Sequence, residues 1–386
     1  MHALPDLREM MRTLVRTPSV SSADARFDQG NREVIDRLAG WLEPLGFRIE
    51  IVPVSPSGHK ADLIATLGEG EGGLALAGHT DTVPWDAGRW ATDPFAMTER
   101  DGKLYGLGTA DMKGFFAVAL DAIRALDPRA LALPLTIVAT ADEESTMAGA
   151  AALATLGRPR PRWVVIGEPT GLTPVRMHKG VSLQRLVLRG RSGHSSDPGA
   201  GASALDGMHA VMGALHELRA ELARRHPHPG FVPPYPTLNL GAIHGGDSAN
   251  RICGECALAF DLRPVPGMDL AAVRAEIRER VERAIDGRGL ELSLAFETGV
   301  PPFETSATSE IVRATEELTG AEAGSVAFGT EGPYFQQLGA DTVVLGPGDI
   351  AVAHQPNEHV SIDQLARATG LVRELVLRKC TERGPT

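Results

Sequence analysis

Hydrophobic positions along this chain follow two rhythms. Residues 29–47, QGNREVIDRLAGWLEPLGF, set Val34, Leu38, Trp41 and Leu42 on one stripe at helical spacing. FRIEIVPV (47–54) alternates as a strand does. GLALAGHTDTVP (73–84) is a short apolar run ending in polar residues, the pattern of a buried strand. MKGFFAVALDAIRALD (112–127) predicts a helix with Phe116, Leu120 and Ile123 on its buried face. LPLTIVATA (133–141) and RWVVIGEPT (162–170) predict two more buried strands with a helical stretch between them. Such alternation signals βαβ units and a mostly parallel sheet.

From Gly180 the pattern changes. VSLQRLVLRG is an alternating strand and residues 202–225 a long helix. PTLNLGAIHGG and ICGECALAFDLRP read as strands, residues 269–286 as a helix and LELSLAFET as a strand. The order β-α-β-β-α-β is a ferredoxin-like unit complete in itself. After Pro301 a helix (TSEIVRATEEL) and a buried strand (DTVVLGPGDI) return. The expected fold is α/β. A discontinuous catalytic domain with a mostly parallel sheet covers 1–179 and 299–386, and a βαββαβ domain is inserted at 180–298.

Composition narrows the class. The chain has 386 residues, 43% of them hydrophobic, with 43 Gly and 27 Pro. That suits a large, loop-rich enzyme of two domains. A formal charge of −11 lacks the basic footprint that nucleic acid or an anionic membrane demands. No apolar run reaches the length of a membrane span. The N-terminus is amphipathic, carries acids and lacks the apolar core of a secretory signal, so the cytoplasm is the expected location. Only three cysteines occur. Cys253 and Cys256 form a C-x-x-C on an expected strand, where residues three apart face opposite sides, so they are read as packing rather than as a chelate.

The polar residues that matter sit at strand ends, where open α/β sheets build their sites. The run at 73–78 leads to His79 and Asp81. YGLGTADMKG brings Asp111 to a helix start, and TADEES brings Glu143 and Glu144 after the strand at 133–139. Glu168 ends the strand at 162–166, and GPGDIAVAHQPNEH leads to His354. Singly, each reads equally as a packed His, a helix cap or a turn residue. Together, so many acidic and imidazole groups at one edge repel or desolvate one another without a cation. His and carboxylate donors without thiolate suit Zn²⁺, Co²⁺ or Mn²⁺, and their number fits two ions sharing a bridging carboxylate. Glu143 and Glu144, as neighbours, point in different directions, so each has its own task.

The blocks GHTDTVP, GLGTADMKG, ADEES, GEPT, RSGHSSDP, GTEGPYF and LGPGDIAVAHQPNEH resemble, in order and over nearly the whole chain, the signatures of the di-zinc amidohydrolases. GHTDTVPWDAGRWATDPF and the blocks from TEGPYF onward are most similar to the acetylornithine deacetylase branch. The resemblance implies two divalent metals, zinc first and cobalt second. His79 and Glu168 would hold one, Glu144 and His354 the other, and Asp111 would bridge them, with Asp111–Met112 a cis peptide. Asp81 would bond the His79 imidazole, and Glu143 would shuttle the proton. His194 would reach the active site of a homodimer partner and stabilise the oxyanion. Asn250 and Arg263 would bind the substrate carboxylate. Apart from the resemblance, Lys179, at the expected domain junction, is a further candidate anion site, and Glu331 in GTEGP is a candidate partner for a substrate ammonium. The implied reaction converts N-acetyl-L-ornithine to L-ornithine and acetate in arginine biosynthesis. Acetylcitrulline, succinyl-diaminopimelate, other N-acyl amino acids and dipeptides are the alternative substrates.

Other classes fit less well. In YGLGTADMKG the third glycine of a dinucleotide loop is replaced by Asp111, whose charge repels pyrophosphate. The nearest approach to a nucleophilic serine elbow, GDSAN, ends in Asn250. No H-E-x-x-H occurs. A metal-free binding protein of the same fold is the non-enzyme reading.

Overall fold

The structure, a computed structural model, describes residues 4–381. Its strands are β1 (Arg48–Pro53), β2 (Ala61–Leu67), β3 (Leu74–His79), β4 (Thr98–Arg100), β5 (Lys103–Tyr105), β6 (Leu135–Thr140), β7 (Trp163–Pro169), β8 (Val175–His178), β9 (Val181–Arg189), β10 (Thr237–Gly245), β11 (Glu255–Arg263), β12 (Glu291–Val300), β13 (Phe303–Glu304), β14 (Gly324–Val326), β15 (Asp341–Gly346) and β16 (His359–Ser361). Its helices are α1 (Leu7–Arg16), α2 (Arg32–Leu42), α3 (Lys113–Ile123), α4 (Ala148–Leu156), α5 (Ala204–Arg225), α6 (Leu270–Ile285), α7 (Glu310–Thr319), α8 (Gly332–Gln337) and α9 (Ile362–Cys380).

The chain divides into two compact units, one of residues 1–176, 305–324 and 330–386, the other of 177–304 and 325–329. The first is a mixed α/β body. Its sheet runs β1-β2-β6-β3-β7-β15. The four strands from β6 to β15 are parallel, whereas β1 and β2 add antiparallel. β2 is not among the expected strands: Asp62 and Thr66 interrupt ADLIATL, leaving neither a clean alternation nor a continuous apolar run. All six residues of β3 and of β6 are buried, as a sheet covered on both faces requires. Helices α1, α3 and α9 pack on one another over a core that includes Met10, Leu14, Phe116, Leu76, Val165 and Leu375.

Two readings of the sequence need correction. α3 is buried on almost every side rather than along one stripe, and even Lys113 is closed to solvent. Cys253 precedes β11 instead of lying on it, so strand alternation does not govern the cysteine pair; both thiols are buried in the second core.

The second unit has its own core, with Leu186, Met208, Leu215, Leu258, Phe260 and Ile277 within it. Its elements follow the order β9-α5-β10-β11-α6-β12, and its sheet is antiparallel in the order β10-β11-β9-β12. Among the described residues, no helix is long and apolar enough to cross a membrane.

Candidate metal centre

The in-register parallel pairing of β3 with β6, His79 opposite Thr140, carries the chain exits of both strands to one edge. β7 runs parallel beside β3 and ends there as well, at Glu168 and Pro169. Close packing makes these exits possible at two glycines. A Cβ on Gly78 would lie 2.2 Å from Met112 Cε, and one on Gly167 would lie 1.9 Å from the Phe115 ring.

The structure brings the expected ligands into one cage around Asp111. His79 Nε2 lies 3.0 Å from Asp111 Oδ1 and 3.8 Å from Glu168 Oε1. His354 Nε2 lies 3.2 Å from Asp111 Oδ2 and 2.9 Å from Glu144 Oε1. Each oxygen of Asp111 thus faces its own His, and each His in turn has its own Glu. Tetrahedral donors about 2.0–2.1 Å from a shared zinc stand about 3.3 Å apart, and the observed spacings bracket that value. The donor set therefore fits two divalent cations with Asp111 between them. His79, Asp111 and Glu144 could also close on one ion, as could His79, Glu143 and Glu168. Glu143 and Glu144 do diverge: the former sides with His79 and Glu168, the latter with His354 and Asp111. The Asp111–Met112 peptide is cis.

Electrostatics shows how strained this cage is without cations. Burial drives the Glu143 and Glu168 carboxyls well above the usual range, against the pull of His79. Burial also raises Glu144, with Asp111 adding to the effect. For His79 burial favours the neutral ring, but Glu168, Asp111 and Asp81 outweigh it and hold the pKa well above normal. Hydrogen bonds to Asp111 and then Glu144 raise His354 to about 10. Asp111 is lowered despite its burial, chiefly by His354 and His79. The carboxylates thus favour positive charge at both imidazoles, a balance that bound cations would also satisfy.

Asp81 holds its neighbours in a way the sequence does not reveal. His79 Nδ1 bonds the backbone carbonyl of Asp81 at 3.0 Å, with the carboxylate farther off at 3.5 Å. The carboxylate instead accepts the backbone N–H groups of Glu143 at 3.2 Å and Glu144 at 3.1 Å. The expected carboxylate–imidazole bond is therefore the secondary contact.

Sequence reasoning missed several buried charges around the cage. Glu358 accepts the N–H groups of Ala110 and Asp111 at 2.8 and 3.0 Å, and burial raises it to about 8. Lys113 Nζ donates to the Thr17 carbonyl at 3.0 Å, and burial lowers it to about 8. Asp62 Oδ1 accepts the Ala141 N–H at 2.9 Å while Oδ2 has no partner. Glu331, a candidate for meeting a substrate ammonium, is fully buried among Thr140, His79 and Asp81. Neither of its oxygens has a well-formed hydrogen bond: the Thr140 hydroxyl, though near, donates to Gly78 O at 3.1 Å. Burial raises Glu331 to about 7. In this conformation it is closed to a substrate ammonium.

The remaining candidates belong to the second unit and fall into two groups. His194 is exposed and bonds Ser196 Oγ at 2.7 Å. Its loop pairs with that of Asn250, where Ser195 N donates to Asn250 O at 3.2 Å. Lys179 and Arg263 line a separate cleft of about 520 Å³ with Phe231, Pro233 and Thr237. Lys179 Nζ donates to Pro233 O and Tyr235 O at 2.9 and 2.6 Å, and Arg263 Nε donates to Asp261 Oδ2 at 2.8 Å. The start of β9 pairs with the end of β11, so the two groups stand at opposite ends of this sheet, about 26 Å apart by strand rise.

Comparison with known proteins agrees with this geometry. The profile of peptidase family M20/M25/M40 matches residues 75–378. The chain is 47% identical over 382 residues to an acetylornithine deacetylase of Pasteurella multocida, covering 99% of this chain and 100% of that protein. It is 48% identical over 389 residues to one of Yersinia pseudotuberculosis, covering 98% of this chain and 99% of that protein. In fold it is similar to an M20 family metallo-carboxypeptidase from Sulfolobus solfataricus, with TM-score 0.75, 20% identity and coverage of 96% and 98% of the two chains. It is also similar to a dinuclear metal-binding M20 peptidase from Bacillus subtilis, with TM-score 0.66, 18% identity and coverage of 96% of each chain.

Proposed function

We propose a function for a chain that belongs to peptidase family M20/M25/M40: it is a metal-dependent hydrolase that converts N-acetyl-L-ornithine to L-ornithine and acetate. The observation that carries the chemistry is the division of four ligands around the two oxygens of Asp111. The substrate assignment rests on likeness to acetylornithine deacetylases over the full chain.

In this reading His79 and Glu168 would hold one cation and Glu144 and His354 the other, with Asp111 available to both. Zinc is the ion we assign, with cobalt an alternative, because the donors are imidazole and carboxylate without thiolate. When bound, such cations polarise the scissile carbonyl and bring the pKa of water toward about 7. Glu143 takes a proton from the attacking water at a carboxylate oxygen. As the new C–O bond forms and the amide C–N bond breaks, it returns that proton to the leaving nitrogen, giving acetate and a free amine. Its burial among carboxylates, which raises its pKa, suits a group that must hold a proton between two steps.

The second unit supplies recognition and dimerisation. Its element order and strand path support a ferredoxin-like insertion. Asn250 and Arg263 bind the substrate carboxylate, with the planar fork of Arg giving the geometry, and Lys179 is a further anion site. His194 steadies the oxyanion. Groups at opposite ends of one sheet meet a single substrate only if two protomers supply them, which supports a homodimer.

The test is a panel of N-acetyl-L-ornithine, N-acetylcitrulline, succinyl-diaminopimelate, other N-acyl amino acids and a dipeptide, with zinc-loaded and chelator-treated protein. The highest kcat/KM should fall on N-acetyl-L-ornithine and vanish with chelator. A clear preference for another member contradicts the substrate, and activity that survives complete metal removal contradicts the mechanism.

A further inference from the structure

We propose that Lys60 is a positioning residue that acts through Asp142 to fix the Glu143–Glu144 dipeptide; this rests on Glu143 being the proton shuttle.

Asp142 directly precedes that dipeptide and has φ of +59°, a left-handed conformation that a non-glycine residue adopts at a cost. Its backbone carbonyl closes the turn by accepting the N–H groups of Thr146 at 3.0 Å and Met147 at 2.7 Å. Its carboxylate is anchored away from the cage. Oδ1 accepts Lys60 Nζ at 2.7 Å and Ser21 Oγ at 3.0 Å. Lys60 Nζ donates also to Asp28 Oδ1 at 2.8 Å. The side chains of Lys60 and Asp142 are only 11% and 12% exposed, so this is a partly desolvated network rather than a loose surface pair. Ser145, one residue beyond the dipeptide, shares its hydroxyl with Ser21.

Lys60 is itself anchored. The next residue, Ala61, donates its N–H to Asn31 Oδ1 at 2.9 Å, and Asn31 Nδ2 reaches Ala61 O at 2.8 Å and Thr80 Oγ1 at 2.7 Å. Thr80 follows His79, so the anchor of the turn is referred back to the strand exit that carries the first imidazole. On the other side Asp81 holds the dipeptide by both its N–H groups. Glu143 and Glu144 are thus fixed between two carboxylates from different parts of the chain. One of these needs a cation to remain in an already anionic neighbourhood, and Lys60 supplies it. Loss of Lys60 leaves Asp142 uncompensated beside Asp62 and frees the strained turn to relax, rotating Glu143 away from its place. Displacements near 1 Å in such groups can cost about 100-fold in rate.

The experiment compares Lys60→Met, Lys60→Arg, Glu143→Gln and the Lys60→Met/Glu143→Gln double variant, each zinc-loaded, for kcat, KM, metal content and melting temperature with N-acetyl-L-ornithine. Lys60→Met should keep its metal and its KM within about twofold and lose about tenfold or more in kcat. Lys60→Arg should recover most of the loss, and Lys60→Met should cost nothing further once Glu143 is Gln. A Lys60→Met protein with wild-type kcat overturns the proposal, as does a loss expressed wholly in KM or metal content. If Lys60→Met does not fold, Ser21→Ala, which removes the second bond to Asp142, should lower kcat severalfold, and an unchanged kcat overturns the proposal. An active Glu143→Gln protein overturns the shuttle assignment itself, a failure distinct from the others.

Discussion

Asp81 and Glu144 are joined side chain to backbone: Asp81 Oδ2 accepts the Glu144 N–H at 3.1 Å while Oδ1 takes that of Glu143 at 3.2 Å. A single carboxylate therefore ties the loop after β3 to the loop after β6. Removing it unseats groups on both sides of the cage. Asp81→Ala should lower kcat by about 100-fold and weaken metal binding about 10- to 100-fold. Competition with a chelator of known affinity measures the second effect. Unaltered metal affinity with full turnover would show that the two N–H bonds are dispensable.

Metal uptake should release protons. Without cations, hydrogen bonds to Asp111 and Glu144 hold His354 near 10, and acidic neighbours hold His79 well above its usual value. Both imidazoles must be neutral to ligate. Adding zinc to the apoprotein at pH 7 in weak buffer should therefore acidify the solution, and lowering the pH should expel the metal. Zinc binding without proton release would contradict the raised pKa values of the two imidazoles.

Asp62 should make stability depend on pH. Burial raises it from 3.8 to about 8 in the folded protein. Its contribution is thus most favourable below about pH 4 and is lost as pH rises toward 8, because the unfolded chain ionises first. Asp62→Asn keeps an acceptor for the Ala141 N–H and has nothing to ionise. Its melting temperature relative to wild type should rise by several degrees between pH 5 and pH 8. A difference that stays flat across that window would place the Asp62 pKa near its ordinary value.

Gly167 is required by packing. The Cβ of an alanine there would fall 1.9 Å from Phe115 Cγ, and Phe115 is itself buried beneath the site. Gly167→Ala should cost about 1–3 kcal/mol of stability and, by shifting Glu168, lower metal occupancy. Thermal unfolding and elemental analysis test both.

How far the sequence reveals this arrangement depends on where a group's partners lie. His79 and Glu168 stand at the ends of buried strands and Glu144 follows one in the next turn, so their shared edge follows from the apolar runs before them. The same reasoning passes over Asp62, inside β2, and Lys113, at the first turn of α3, because a lone charge in a short window reads as solvated. Their partners are remote: Ala141 is 79 residues from Asp62, Asp142 is 82 from Lys60, Thr17 is 96 from Lys113 and Ala110 is 248 from Glu358. β2 is passed over because Asp62 and Thr66 break its apolar run without setting up an alternation. The resemblance assigns Asp81 to the His79 imidazole, and local sequence carries no information on its bonds to the backbone of residues 143 and 144. The expected helices at 202–225 and 269–286, by contrast, agree with α5 and α6 to within two residues at each end, because their periodic runs are long; Ser203 and Asp269 cap them.

The most direct measurement is the metal content of the purified, zinc-loaded protein by elemental analysis, beside an Asp111→Ala variant. Two ions per chain are expected in the wild type and fewer than one in the variant, because both sites share that carboxylate. One ion or none in the wild type, or two retained after Asp111 is removed, would contradict a dinuclear centre built around it.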